Sequence, residues 1–185
     1  MKGFIREETR FSLCGLNCGL CTMRLGGYCP GCGGGTGNQS CAIARCSLEH
    51  GGVEYCWQCA EYPCIRYEGI DKYDSFITHR NRRVDMEKAR RIGMDAYWKE
   101  QAEKCEILRV LLENYQDGRR KSLFATAVNL LDLEELHAVL EQLLNEPEDL
   151  PAKEKAVRAA DLLQAAAFRR GIDLKRRKKP GKTAK

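Results

Sequence analysis

The sequence lacks any hydrophobic run near the roughly 18 consecutive apolar residues that a bilayer span requires, and 31% of its residues are charged. We therefore expect neither a membrane-spanning protein nor a membrane partner. The opening residues MKGFIREETRFSL also contain no apolar stretch of the kind found in secretory signals. These absences predict a soluble cytoplasmic protein whose thiols stay reduced.

Motifs of the common enzyme classes are missing too. The chain has no phosphate-binding P-loop, no dinucleotide-binding glycine fingerprint, no serine–histidine–aspartate arrangement and no metalloprotease helix. Whether the protein is an enzyme stays open on these grounds.

Cysteine, by contrast, is abundant and clustered. Of the 11 cysteines, all but Cys105 lie in one continuous third of the chain. In a reducing compartment, clustered thiols are typical of metal ligation rather than of disulfides. The predicted metal ligands are Cys14, Cys18, Cys21, Cys29, Cys32, Cys41, Cys46, Cys56, Cys59 and Cys64.

The spacing of these cysteines favours closed metal sites. Three pairs have the C-x-x-C spacing: Cys18 with Cys21, Cys29 with Cys32, and Cys56 with Cys59. This spacing lets two thiolates of one tight turn reach the same tetrahedral ion, and the Pro-Gly turn of the middle pair is typical of a zinc knuckle. Ten thiolates are enough for two four-cysteine zinc sites.

The sequence leaves the pairing open. The arrangement that we prefer joins Cys29, Cys32, Cys41 and Cys46 in one site and Cys18, Cys21, Cys56 and Cys59 in the other. Cys14 and Cys64 are then substitute ligands or thiols beside the sites. His50 is a weaker candidate ligand, because thiolates already suffice in number.

An iron–sulfur cluster is the alternative cofactor, because four-cysteine sites accept either zinc or a 4Fe-4S cluster. Cys14, Cys18 and Cys21 have the C-x3-C-x2-C spacing of radical SAM enzymes, which leave one iron of the cluster open. Those enzymes need a large α/β barrel around the cluster, and the rest of this sequence has no strand series to build one.

Glycine is concentrated in the same part of the chain as the cysteines, and helical periodicity begins only after that part. From Asp71 onward, apolar residues recur three and four positions apart. We predict a mainly α fold with a small, irregular, Cys-rich module over 1–70 packed on a bundle of four or five helices over 71–174, followed by a basic flexible tail over 175–185. Large apolar residues are few among the cysteines, so metal is expected to stabilise the module.

The helical part divides into five segments. The periodicity predicts helices at 78–92, at 95–115, after a cap at Ser122, after the capping-box pair Asp132 and Glu135, and at 152–169.

Two basic stretches are further candidate sites. Arg119, Arg120, Lys121 and Ser122 stand just before a predicted helix and form a possible anion site. The tail over 175–179 could bind nucleic acid nonspecifically. A solvated turn and a frayed terminus are the simpler interpretations of the two stretches.

The ordered cysteine motifs resemble a known family. Cys14-Gly-Leu-Asn-Cys18-Gly-Leu-Cys21, Cys29-Pro-Gly-Cys32-Gly, Cys41-Ala-Ile-Ala-Arg-Cys46 and Cys56-Trp-Gln-Cys59-Ala-Glu-Tyr-Pro-Cys64 are similar to those of the bacterial and archaeal domain of unknown function 3795. The resemblance continues through Thr78-His-Arg and Asp117-Gly-Arg-Arg-Lys-Ser122. It implies a metal-binding protein typical of anaerobic prokaryotes and assigns no activity to particular residues.

Two functions of different classes follow. The first is a binding or adaptor module, in which two closed zinc centres organise a rigid surface for a protein or nucleic-acid partner. The alternative is an iron–sulfur redox or cofactor-handling enzyme with an open site at Cys14, Cys18 and Cys21.

Overall fold

The computed structural model describes residues 3–35, 41–147 and 149–180, and the secondary structure in these ranges is helical without a strand. The helices are α1 (Thr22–Leu25), α2 (Ala42–Glu49), α3 (Arg82–Ile92), α4 (Met94–Asn114), α5 (Lys121–Leu130), α6 (Leu133–Leu144) and α7 (Ala152–Arg169). Short 3-10 turns stand at Cys18–Leu20, Cys56–Gln58 and Ile65–Tyr67. The predicted mainly α fold is confirmed. None of the helices in the described ranges is long and apolar enough to cross a membrane.

Helices α3 to α7 form the predicted bundle, with α4 at its centre. Helix α4 packs against α3, α5 and α6, and α7 packs against α5 and α6. The buried side chains of α4 recur every three or four residues, as a helix with one inward face requires. The large, fully buried side chains of the main core include Leu108, Leu111, Phe124, Leu131, Leu136 and Leu163.

The helix ends follow local chemistry. Helix α6 begins after Asp132, whose amide donates to the Glu135 carboxylate at 3.0 Å, as the capping-box spacing predicts. The predicted cap at Ser122 is wrong, because α5 begins one residue earlier and Ser122 lies inside it. Helix α3 begins later than predicted, because Thr78 and the amide of His79 instead donate to the Asp74 carboxylate.

The Cys-rich part packs directly on the bundle. Leu20 belongs to the main core, and Phe11 packs with Met86 of α3 and Tyr97 of α4. Gly15 has a φ of +94°, and a Cβ there would lie 2.4 Å from the Arg82 carbonyl oxygen. Only glycine therefore allows the first cysteine loop to approach α3 this closely.

Arg176 and Arg177 of the predicted basic tail are hydrogen-bonded to residues 71–75, and the flexibility of the tail stays a prediction. Arg177 forms two hydrogen bonds with Asp74. The Arg177 amide donates to the Asp74 carboxylate at 2.8 Å, and the Arg177 carbonyl accepts a hydrogen bond from the Asp74 amide at 2.8 Å. Arg176 donates to the Ser75 carbonyl at 3.0 Å. The tail is held because Asp74 is an almost fully buried carboxylate that needs donors. Residues 181–185 lie outside the described ranges.

A buried carboxyl in α3 gives the bundle a pH dependence. Asp85 is 6% exposed and accepts a hydrogen bond from the Asn17 amide at 3.1 Å. Burial raises the pKa of Asp85 to about 7, and the nearby Lys104 ammonium works against that rise. The folded state therefore prefers the protonated acid.

Replacing Asp85 with Asn is expected to flatten this pH dependence. Because the pKa is raised on folding, stability falls as the pH rises from about 4 to about 7, by about 1.4 kcal/mol per pH unit. The D85N variant keeps an acceptor for Asn17 and carries no charge, so it should gain on the wild type as the pH rises. Urea unfolding of both proteins between pH 5 and pH 8 measures the difference. Parallel stability curves would contradict the assignment.

Candidate metal centre

The first thiol group comprises Cys14, Cys18, Cys21, Cys29 and Cys32. Cys18 opens a 3-10 turn, and the Cys21 amide donates to its carbonyl at 3.1 Å, so this C-x-x-C pair curls as its spacing predicts. Burial raises the pKa of Cys18, and the charges of the other four thiols raise it further. The five sulfurs are thus close enough for their charges to interact. A cation among them would instead lower the pKa of the thiols.

The turn from Cys29 to Gly33 is pressed against the chain that precedes the first cysteine. Gly31 has a φ of +85°, and a Cβ there would lie 2.4 Å from the Thr9 carbonyl oxygen. Gly33 has a φ of +86°, and a Cβ there would lie 2.8 Å from the Cβ of Arg6. The two glycines therefore permit the contact that brings Arg6 beside the thiols.

Arg6 is a buried cation at the first thiol group. Its side chain is 1% exposed, and Nη1 donates to the Phe11 carbonyl at 2.9 Å and to the Cys32 carbonyl at 3.5 Å. Nη2 lies 2.9 Å from Glu54 Oε1, although these two atoms are not aligned as a hydrogen bond. Burial raises the pKa of Cys32, whereas a hydrogen bond from the Leu13 backbone and the charge of Arg6 lower it. Arg6 thus favours the thiolate that a metal needs.

The second thiol group comprises Cys46, Cys56, Cys59 and Cys64. These four residues line one small cavity of about 30 Å³. Cys46 lies on α2, and Cys56 opens the 3-10 turn Cys56–Gln58. The site therefore combines sulfurs from two segments that are separate in sequence.

A buried hydroxyl and an exposed arginine stand beside the second thiol group. Burial raises the pKa of Cys56 to about 12, and the Tyr67 hydroxyl works against that rise. This hydroxyl is buried without a well-formed hydrogen bond. Contact with Cys46 raises the pKa of Arg66. The Tyr67 hydroxyl, as a hydrogen-bond donor, and the Arg66 guanidinium, as a cation, both fit a centre that carries negative charge on sulfur.

His50 lies at the edge of this group. Its Nδ1 is 3.6 Å from the Cys46 sulfur and 2.8 Å from the Cys46 carbonyl oxygen, and its Nε2 is 3.4 Å from Glu61. The ring is therefore engaged with the end of α2 and with an acid, and ligation by His50 stays a prediction.

The observed neighbours differ from the pairing that we preferred on sequence. Cys46 lies with Cys56 and Cys59, not with Cys29 and Cys32. Cys14 lies between the groups, since its charge raises the pKa of both Cys18 and Cys56. Cys41 is exposed and stands at the start of α2, beside the undescribed residues 36–40.

The thiols are grouped without the geometry of a formed metal site. Within residues 3–35, 41–147 and 149–180, no three His, Cys, Asp or Glu side chains converge as ligands of one ion. All 11 cysteines are free thiols, so no disulfide competes for the sulfurs. Metal binding, the choice of zinc and the ligand set stay predictions.

The predicted anion site at Arg119, Arg120, Lys121 and Ser122 has an internal acid. Asp117 accepts a hydrogen bond from the Arg119 amide at 3.0 Å and pairs with the Arg120 side chain. The hydrogen bond from Arg119 and the contact with Arg120 lower the pKa of Asp117, although burial works against them. The turn therefore neutralises part of its own charge, and anion binding there stays a prediction.

Comparison of the chain with models of known families, with curated proteins and with solved structures gives no match. The resemblance to domain of unknown function 3795 therefore stays a prediction.

Sequence reasoning missed Arg6 and Tyr67. Arg6 stands eight residues before the first cysteine, in a stretch with charges on both sides, and no local pattern marks it as buried. Tyr67 follows the last cysteine of the cluster and reaches Cys56 only through the fold. The density of aromatic residues near the Cys56–Cys64 segment was the available signal for Tyr67.

Proposed function

We propose that the protein binds two metal ions, zinc by preference, through its N-terminal thiols and acts as a binding or adaptor module. The observation that carries this proposal is the cavity of about 30 Å³ lined by Cys46, Cys56, Cys59 and Cys64. Four cysteines around one cavity are the ligand composition of a structural zinc site. The second ion would take its ligands from the first thiol group.

The surroundings of the thiols support the same proposal. A centre with four thiolates and one zinc ion carries a net charge of about −2, and each thiol group has an arginine beside it, Arg6 in one case and Arg66 in the other. The Tyr67 hydroxyl would donate to a ligating sulfur and so gain the partner that it lacks.

The iron–sulfur alternative has one observation in its favour. The first thiol group has five sulfurs, and Cys29 also borders an open pocket of about 500 Å³. An iron–sulfur centre with an incomplete set of ligands would be reachable from that pocket by a small molecule. When bound, such a cluster would supply electron transfer or an open iron.

The proposed partners follow from the adaptor role. A protein partner remains the main expectation. Nucleic-acid binding by the tail has less support than the sequence suggests, because the side chains of Arg176 and Arg177 are hydrogen-bonded to carbonyls of residues 71–75.

Metal analysis of anaerobically purified protein tests the proposal. We expect colourless protein with two zinc ions per chain, and cobalt substitution should give the visible absorption of tetrahedral thiolate ligation. The double variant C56S/C59S should lose one ion and C29S/C32S the other, whereas C105S, outside both groups, should keep two. Brown protein that contains iron and acid-labile sulfide would favour the alternative, and protein without metal would overturn both.

A further inference from the structure

A second feature of the molecule lies outside the thiol groups, in the pocket between the cysteine loop and α4. Its volume is about 500 Å³, within the range of roughly 300 to 1,000 Å³ that small-molecule sites occupy. The pocket borders Cys29 but is otherwise formed by arginines, polar residues and apolar side chains.

Three arginines from separate segments meet at this pocket. Arg10, Arg24 and Arg109 all line it, and the charges of all three act on the half-buried thiol of Cys105. Although burial raises the pKa of Cys105, these three cations work against the rise. Guanidinium groups that converge from different segments are suited to a carboxylate or phosphate.

The acids nearby leave this positive charge incompletely balanced. Glu8 pairs with Arg10 at 2.6 Å, and Glu106 pairs with Arg109 at 2.5 Å. Arg24 donates to the Pro30 carbonyl at 2.8 Å, and no carboxylate in the described part of the chain lies within ion-pair distance of it. The three cations therefore face two acids, and Arg24 is the cation with capacity for an anion.

Gln101 gives the pocket an unsatisfied polar group. This residue of α4 is 6% exposed, and neither its side-chain nitrogen nor its side-chain oxygen has a hydrogen-bond partner. Asn17, which also lines the pocket, already donates to Asp85 and Tyr97. Because a buried polar group without a partner destabilises the fold, a ligand that pairs with Gln101 would offset part of that loss.

An aromatic wall completes the pocket. Trp98 stands one turn before Gln101 on α4, and the Arg10 guanidinium lies 4.7 Å from the centre of its ring. Leu20 and Leu25 also line the pocket. The lining therefore combines cations, an amide and apolar surface, as sites for small organic anions do.

We propose that this pocket binds a small organic anion. The oxyanion, a carboxylate or a phosphate, contacts Arg24 and Arg109, the apolar part of the ligand packs against Trp98, and a carbonyl, hydroxyl or amide group pairs with Gln101. The proposal does not depend on the identity of the bound metal, and it gives the protein a ligand-binding function in addition to metal binding.

Calorimetric titration of the full-length, metal-containing protein tests the pocket with four probes. Benzoate and phenyl phosphate present the two oxyanions on an aromatic ring, 4-carbamoylbenzoate adds an amide for Gln101, and benzyl alcohol is the neutral control. We expect binding of the anions at millimolar concentration or below and none of the alcohol. The tighter of benzoate and phenyl phosphate identifies the oxyanion, and 4-carbamoylbenzoate should bind more tightly than benzoate.

Four variants separate this site from general charge effects. R24Q and R109Q should each weaken anion binding about tenfold, the loss of one charge-assisted contact, whereas R169Q, at an exposed position of α7 outside the pocket, should leave it unchanged. R109Q is needed because Arg24 also contacts the loop of Cys29 and Cys32, and metal content measured on every variant reveals any damage there. Q101L should abolish the advantage of 4-carbamoylbenzoate over benzoate.

Clear outcomes would overturn the proposal. Absence of binding by all three anions, or equal weakening by R169Q and R109Q, would show that the pocket is not an anion site. If C29S/C32S loses metal but still binds the anions, the result supports an anion site that is independent of the metal.

Discussion

Replacement of Cys56 by Ser is expected to remove one metal ion and to unfold residues 42–70, which hold the second thiol group. Cys56 lines the cavity of the second thiol group and packs against two hydrophobic clusters, one around Phe11 and one around Leu13. The charge of Cys14, in the first thiol group, also raises the pKa of Cys56. In zinc-finger peptides metal binding contributes about 10–16 kcal/mol of folding free energy. This exceeds or equals the roughly 5–15 kcal/mol that stabilises a typical domain, so the loss of one ligand in four should be severe.

The measurement combines elemental analysis with backbone amide spectra. In C56S, signals from residues 42–70 should lose dispersion, whereas those of α4 to α7, whose core is made of leucine and phenylalanine, should persist. C105S is the matched control, because Cys105 is also a half-buried free thiol but lies outside both groups. A C56S protein with full metal content and an unchanged melting temperature would refute the role of this thiol.

Replacement of Arg6 by Met is expected to cost about 1–3 kcal/mol, the usual effect of leaving a buried acceptor unpaired, because its ion-pair partner Glu54 is itself 36% exposed. The guanidinium bonds the Phe11 and Cys32 carbonyls and faces Glu54, and it lies 5.1 Å from the centre of the Tyr55 ring. Methionine keeps much of the volume but leaves those acceptors unpaired. The pKa of Cys32 should also rise, because Arg6 lowers it in the wild type.

Denaturant unfolding and competitive zinc binding check the two effects of R6M. The matched control is R158M, because Arg158 also forms ion pairs, with Glu146 and Glu154, but on the exposed surface of α7. Surface pairs contribute little, so R158M should resemble the wild type in both assays. If R6M and R158M behave alike, Arg6 is not a structural cation of the thiol group.

The bundle could be predicted from the sequence because its signals are local. Helix α7 has the predicted bounds, α6 begins at the predicted capping box, and α4 is shifted by one residue from the prediction at each end. Each of these helices combines apolar residues at helical spacing with a recognisable start or stop. The short helix α2 was not predicted, since its eight residues lie between cysteines and glycines that favour a loop.

The grouping of the thiols could not be predicted, because it depends on contacts between distant segments. The C-x-x-C pairs identify which sulfurs curl together, but the meeting of Cys46 with Cys64 depends on how α2 packs on Leu13 and Phe4. The amide of Cys56 donates to the Leu13 carbonyl at 3.0 Å, across more than 40 residues of chain. The unpaired amide of Gln101 was equally invisible, because on α4 it occupies a position that the periodicity assigns to the core.

The docking of Arg177 on Asp74 has a practical consequence for handling the molecule. The last described stretch of chain returns to the junction between the cysteine loops and the bundle, where Arg80 in turn donates to the Lys175 carbonyl at 3.4 Å. Removal of everything after Gly171 would strip donors from a carboxylate that is 1% exposed. Affinity tags, fluorophores and surface attachments are therefore better joined beyond residue 180. A chain that ends earlier would lose the contacts of Arg176 and Arg177 with residues 74 and 75.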